Sequence, residues 1–264
     1  MTRSAFASAD APVRQQALAA VIRGQLQVAP HELAAIVGLA LADSDITTRE
    51  AACSIVMATA ARGRGQMPTE ARPYWQAAAT ALLTLNDQLI QVMRSDGEPR
   101  IRHSAVLALA NLHMTVDSTA GVIRIPAGLA DALASAYGSE SSDRVRAEIV
   151  KTFALSETES PRSQEIVTRA LADPASEVVQ FAVMGIGRMK PPTALPSVVD
   201  MLKHNEQRVR LAAAQAVAAY GAAARPYLPQ LREALAAERD EITRKTLEGT
   251  IGLIQKSKPP GPVT

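Results

Sequence analysis

A chain of 264 residues with 28 Lys plus Arg against 26 Asp plus Glu has a formal charge of +2 and one cysteine. The lone Cys53 excludes an intrachain disulfide framework and any zinc cluster built on cysteines. Aromatics make up 3% and Ala fills 50 of the 264 positions, so the interior must be small side chains between closely approaching helices, which argues against a β-branched sandwich or barrel. No apolar run approaches the roughly 18 residues that cross a bilayer. The start, MTRSAFASADAPVRQQ, lacks the apolar stretch of a secretory signal, so no membrane association and a cytoplasmic location are expected.

Taken in order, a helix near 12–22 is expected to cover one end. Two kinds of segment then alternate. The first kind is amphipathic and spans 31–43, 73–94, 126–138, 163–173, 195–205 and 228–238. Leu195, Val198, Val199 and Leu202 show its spacing, i, i+3, i+4 and i+7, which gives one apolar face. Pro30, Pro73, Pro126, Pro161, Pro196 and Pro229 stand at or near the starts, where a first turn tolerates a missing N–H.

The second kind opens with an acidic residue, a short polar stretch, an apolar or β-branched residue, Arg, and then small residues at helical spacing. The clearest copies are 95–112, 139–155, 172–189 and 205–221, with degenerate ones at 43–58 and 239–254. Anchoring each copy on the residue before the Arg position gives Thr48, Ile101, Val145, Val178, Val209 and Ile242, with steps of 53, 44, 33, 31 and 33 residues. A period in the low thirties with two helices per unit predicts an α-solenoid. Two insertions, GRGQMPTEARP (63–73) and TVDSTAGVIRI (115–125), account for the long steps. They read either as surface loops or as contact loops, the first offering Arg62, Arg64 and Arg72 to an acidic partner.

The D-x5-R spacing is kept by Asp43/Arg49, Asp96/Arg102 and, with Glu for Asp, Glu140/Arg146. In the fourth copy Asp173 stands but Val179 replaces the Arg; in the fifth Arg210 stands and His204 replaces the acid. The block itself reads Ile101-Arg102, Ala105, Ala108-Leu109, and again Val209-Arg210, Ala213, Ala216-Val217. Over roughly residues 31–254 the chain resembles the HEAT repeat family and its bacterial relatives, the HEAT-like repeats of phycobilin lyases. That resemblance implies an all-α, right-handed α-α superhelix of about six helix pairs, a single solenoid domain over 1–256 with a disordered Pro-rich tail at 257–264. Ala105, Ala108, Ala182, Gly185, Ala213 and Ala216 are expected where helices approach most closely. Each acidic residue is expected to cap the following helix and to face an Arg of its own or the adjacent unit. The sixth copy reads as a polar end cap.

Chemistry is scarce. His31, His103, His113 and His204 form no HExxH and no i, i+4 pair, and Cys53 has no His spacing suited to zinc. His31-Glu32 is one isolated dipeptide, whereas the HEAT-like deoxyhypusine hydroxylases carry several for their iron pair. The histidines are expected to be solvated or capping, and Cys53 buried and inert. No P-loop, G-x-S-x-G or G-x-G-x-x-G occurs; Gly185-Ile186-Gly187 reads as close packing. No cofactor and no metal are therefore expected.

HEAT-like alkylpurine DNA glycosylases line their groove with aromatics and basic residues, and here the one Trp, Trp75, lies on a first helix. Residues two and six places past each anchor should point away from the packed face. The pairs are Glu50/Ser54, His103/Leu107, Ala147/Lys151, Gln180/Met184, Leu211/Gln215 and Arg244/Glu248, and only Lys151 and Arg244 are firmly cationic. A phosphate track needs successive cations, so nucleic acid is disfavoured although residues 188–264 are net basic. The leading expectation is a non-enzymatic scaffold that binds a protein or peptide along its concave second-helix surface, through His103, Leu107, Lys151, Gln180, Met184, Leu211, Gln215 and Arg244. Leu107, Met184 and Leu211 have a second reading, as packing between repeats. Two different functions stay open beside the scaffold: a nucleic-acid binder and a bilin-lyase-like enzyme.

Overall fold

The structure is a computed structural model that describes residues 3–64, 70–116, 125–156 and 160–257. Much of both expected insertions (65–69 and 117–124, with the Val/Ile stretch) and the tail from Lys258 onward lie outside the described residues. No strand element occurs among those described. Two compact units divide between Glu148 and Ile149.

The first unit runs through a short 3-10 helix at Arg3–Ala7 and then α1 (Ala11–Ile22), α2 (Pro30–Leu41), α3 (Ile46–Gly63), α4 (Arg72–Leu82), α5 (Asn86–Ser95), α6 (Pro99–Val116), α7 (Ala127–Ser139) and the start of α8 (Asp143–Leu155). The second holds the rest of α8, α9 (Pro161–Arg169), α10 (Ser176–Met189), α11 (Leu195–Asp200), α12 (Gln207–Ala219), α13 (Leu228–Ala237) and α14 (Glu241–Lys256). In the first unit the second helices α1, α3 and α6 pack each on the next; in the second unit α10, α12 and α14 do so. Each is backed by the helix before it, so a pair buries its apolar face only with its neighbours.

The small residues sit at the expected close approaches. Ala105, Ala108, Ala182 and Ala213 have no exposed surface, and the large side chains Ile101, Leu109, Leu112 and Phe153 are enclosed around such positions. Burial of each large apolar chain contributes roughly 1.5–3 kcal/mol. A Cβ on Gly187 would stand 2.8 Å from the Ala216 Cβ and 2.9 Å from its Cα, and one on Gly185 would stand 2.9 Å from Ala154 and Val167 side-chain atoms. Gly185-Ile186-Gly187 is thus a packing feature.

The turns carry one device, repeated. Arg14 donates Nε and Nη2 to the Asp43 carboxylate at 2.7 and 2.9 Å. Arg49 does the same to Asp96 at 2.6 and 3.1 Å. Arg102 pairs with Glu140 at 2.7 and 2.6 Å, and Arg210 with Glu238 at 2.7 and 2.9 Å. The third nitrogen, Nη1, turns back to carbonyls of its own turn: Arg49 to Asp43 and Ser44, Arg146 to Glu140 and Ser141, Arg210 to His204 and Asn205. Each acid in turn accepts the N–H two residues on, as Asp43 from Asp45 at 2.8 Å and Glu238 from Asp240 at 3.0 Å. A guanidinium therefore ties its own turn to the carboxylate of the next, with the bidentate geometry that makes such pairs strong.

This arrangement settles the choice between own and adjacent partners, and it corrects the capping role. The paired acid is not the helix cap. Caps come from Asp45, which accepts from the Thr48 N–H at 2.7 Å, and Asp240, which accepts from the Thr243 N–H at 2.8 Å. It also explains the paired departures at Val179 and His204. If the Arg of copy four bonds the acid of copy five, losing both leaves no orphaned charge. His204 keeps the other half of the acid's work, since its Nδ1 accepts the Glu206 N–H at 3.0 Å.

Three further expectations change. The helix near 12–22 is a full second helix: Arg14 carries the pairing, and Ser8 Oγ accepts the Asp10 N–H in the place of the acid. The first long step contains an extra helix, because 73–94 breaks into α4, a 3-10 turn at Leu83–Leu85, and α5. α4 packs on α2 and α3, while α5 backs α6. The sixth anchor is Thr243, not Ile242: Ile242 is 65% exposed and Thr243 fully buried. Its hydroxyl and N–H both reach Asp240, as those of Thr48 reach Asp45. In the shifted register Arg244 takes the pairing arginine's place and donates Nη1 to the Glu238 carbonyl at 3.3 Å.

Urea unfolding tests both the paired turns and the close approaches. Arg210→Val strands the Glu238 carboxylate, whose side chain is only 2% exposed, and should cost about 3 kcal/mol or more. Adding Glu238→His, which copies the Val179/His204 pair, should recover a large part of that loss; a double variant no more stable than the single contradicts the pairing. Gly187→Ala should cost about 1–3 kcal/mol through overpacking. Gly249→Ala, where a Cβ meets nothing within 4 Å, should be neutral or stabilising by up to about 1 kcal/mol.

Candidate binding surface

The second helices of the second unit expose a mixed stripe. On α10, Met184 is 41% exposed, with Gln180 and Phe181 half-buried one turn earlier. On α12, which packs beside α10, Leu211 is half-buried and Gln215 exposed. The Lys151 ammonium lies 5.8 Å from the centre of the Phe181 ring. The fold thus gathers Lys151, Gln180, Met184, Leu211 and Gln215 onto adjoining helices of one unit, and it adds Phe181. Reading only two places per turn passes Phe181 over, although it is a large ring three past its anchor, where other copies carry Ala51, Ser104 and Ala212.

His103 and Leu107 belong to the first unit, both half-buried on α6, and His103 Nε2 lies 3.7 Å from a Glu148 carboxylate oxygen. Ala147, two past its anchor, is buried. Arg244 is exposed but occupies the turn position described above. Lys245 and Gly249 stand two and six past the corrected anchor.

Several of the remaining candidates are engaged within the fold. Arg62 donates to the Ile22 carbonyl and lies 4.7 Å from the Trp75 ring centre. Tyr74 meets the same ring edge-on at 4.9 Å, and Trp75 is buried, so the one indole is core and not a groove wall. Arg64 donates to the carbonyl and side-chain oxygen of Asn111 at 3.2 and 2.7 Å. The Nε of Arg72 is buried without a hydrogen-bond partner at the start of α4. His31 is exposed, and His204 caps a turn N–H. His113 differs from the solvated role expected of it, for it is 3% exposed. Cys53 is enclosed, and burial pushes its thiol up to about 12, which removes thiolate chemistry near neutral pH.

Among the described residues no group of three or more His, Cys, Asp and Glu could hold a metal ion. No described helix is long and apolar enough to cross a membrane.

Comparison with known proteins agrees with this architecture. The sequence model of a family described as HEAT repeats matches residues 86–182 and 171–251. No curated protein matches the chain in sequence. Among solved structures, importin beta in a polyethylene glycol condition superposes with a TM-score of 0.67 at 14% identity, over 97% of this chain and 37% of that one. An engineered protein of a structural-genomics consortium gives 0.60 at 17% identity, over 88% of this chain and 100% of that one. A designed armadillo repeat protein in complex with the peptide (KR)4 gives 0.57 at 16% identity, over 83% and 97%. At such identities the likeness shows the fold alone.

Proposed function

The chain belongs to the HEAT repeat family, and from that premise we propose that it is a non-enzymatic scaffold which holds a protein or an extended peptide on the exposed face of its second helices. The observation that carries the reading is Met184, 41% exposed on α10, together with half-buried Leu211 on α12, the helix packed against α10, and Lys151 lying by the Phe181 ring. A flexible thioether and a leucine flanked by the amides Gln180 and Gln215 offer apolar anchoring and backbone hydrogen bonding together. A designed armadillo repeat protein in complex with the peptide (KR)4 shares the fold, and it bears on the choice of a polypeptide partner. In this proposal residues 1–256 form one continuous solenoid, and its place is the cytoplasm, where a single unpaired thiol is the common condition.

Cations on the stripe are few. Lys151 lies by Phe181, and Arg188 donates to the Ala154 carbonyl. A partner held by apolar and amide contacts fits better than a phosphate backbone, whose binding would weaken steeply with salt.

The test is quantitative capture from extracts of the source cell, comparing the wild-type chain with Met184→Ala/Leu211→Ala. Removal of two anchors should reduce retained partner by roughly tenfold or more, as truncation of interface hot spots does. The unfolding midpoint should move little, because neither side chain is fully enclosed. Equal retention by both proteins would remove the stripe from the account.

A further inference from the structure

A second surface lies at the opposite end of the helices from the paired turns, and it does not depend on the stripe. Among the described residues three have left-handed backbone, and each follows a second helix: Gly24 (φ 72°) after α1, Lys190 (φ 51°) after α10 and Gly221 (φ 53°) after α12. Lys190 ends α10 by donating its N–H to the Ile186 carbonyl at 2.7 Å. Glycine adopts this conformation freely, whereas a residue with a Cβ is strained in it. Two of the three positions take glycine, and the third keeps a lysine against that cost. Strain of this kind collects where a side chain has a function.

Lys190 lines an open cleft of about 520 Å³ between the connection after α10 and the 3-10 helix Gly221–Tyr227. The walls include exposed Pro192, Pro196 and Pro226 and half-buried Tyr220 and Tyr227. Tyr220 donates its hydroxyl to the Pro191 carbonyl at 2.9 Å, which holds its ring against the connection after α10. The Tyr227 hydroxyl and the Lys190 ammonium have no hydrogen-bond or ion-pair partner among the described residues. No described Asp or Glu lines the cleft, so its one ammonium is unbalanced.

These groups fit one kind of ligand. A polyproline II segment has no internal hydrogen bonds, so its carbonyls are open to a donor such as the Tyr227 hydroxyl, and its prolines pack on aromatic walls. The volume suits a few residues of peptide. Charge complementarity with Lys190 favours a carboxylate on that peptide and disfavours a cation. We propose that the cleft binds a polyproline II segment of another protein, with Tyr220 and Tyr227 seating its prolines and Lys190 pairing with an acidic residue beside them. A ligand already extended loses little entropy on docking, so a shallow site suffices.

The test titrates the full chain, its tyrosine rings isotope-labelled, with the peptide acetyl-Pro-Pro-Glu-Pro-Pro-amide and with the same peptide carrying Gln for Glu. The four tyrosines are Tyr74, Tyr137, Tyr220 and Tyr227, so the first two serve as internal references. The proposal predicts that the acidic peptide shifts the ring signals of Tyr220 and Tyr227 and leaves those of Tyr74 and Tyr137 in place. Tyr227→Ala should weaken its binding roughly tenfold or more. Lys190→Gly should weaken it roughly threefold to fivefold and leave the Gln peptide unaffected. The same substitution relieves the strain and should raise the thermal midpoint by about 2–4 °C, so lost affinity cannot be lost folding. Met184→Ala/Leu211→Ala, on the stripe, should bind the peptide as the wild-type chain does, so the two surfaces stand or fail separately. Unmoved Tyr220 and Tyr227 signals at millimolar peptide, or equal affinity for the Glu and Gln peptides, would overturn the proposal. So would ring signals of the free protein that change on dilution, which assign the cleft to a second copy, or that change in full-length Pro259→Gly/Pro260→Gly, which assign it to the chain's own end.

Discussion

Everything in this architecture hangs on a guanidinium that faces two ways. An isolated helix pair whose close approaches are made by alanine and glycine has little to lock its rotation against the next pair, because small side chains pack closely but interdigitate shallowly. The turn arginines supply the missing constraint. Two nitrogens grip the carboxylate of the following turn and the third holds the carbonyls of its own. The geometry of one turn is thereby passed to the next at each step where the pair is present. The carboxylates are 11, 6, 5 and 2% exposed at Asp43, Asp96, Glu140 and Glu238. Breaking such a pair on one side alone leaves a buried charge, which is the costly event; replacing both sides together avoids it, as Val179 and His204 do.

That logic frees the rest of the surface. Register is set at the turn edge, so residues on the exposed flank of the second helices need not serve packing. Met184, Leu211 and Gln215 can then vary in chemistry without disturbing the stack. The cleft at Tyr220 and Tyr227 stands at the other edge, where the connections between pairs are longer and richer in proline. One edge fixes geometry and the other carries irregular backbone, which is where binding loops are usually found.

Much of this is legible in the residues, and what is not has physical causes. The repeats, the close glycines at Gly185 and Gly187 and the inert Cys53 are legible because packing imposes periodic small residues. The N-terminal copy is hard to see because Ser8 stands where an acid is expected, although Val13-Arg14 and Ala17 carry the block. The register of the last copy misleads because Ile242 looks more like a core residue than Thr243, whose burial depends on the Asp240 hydrogen bonds. α4 is hidden in 73–94 because Leu82, Leu83 and Leu85 keep the apolar pattern running through a break in the backbone. The stripe is legible only by position. Exposure of Met184 and the approach of Lys151 to Phe181 depend on neighbours that sequence spacing does not specify.

The most direct measurement of the central claim is the titration of the Glu238 carboxyl carbon in the folded protein. The hydrogen bond from Arg210 acts most strongly, burial opposes it, and the Asp240 and Arg239 N–H groups add to it, bringing the carboxyl from its ordinary 4.5 down to about 2. A group depressed on folding stabilises the protein above its unfolded value, and that contribution, on the order of 3 kcal/mol, is lost as pH falls from about 4.5 toward 2. The account predicts a midpoint near 2 that moves upward in Arg210→Val. A midpoint near 4.5, unmoved by that substitution, would contradict it.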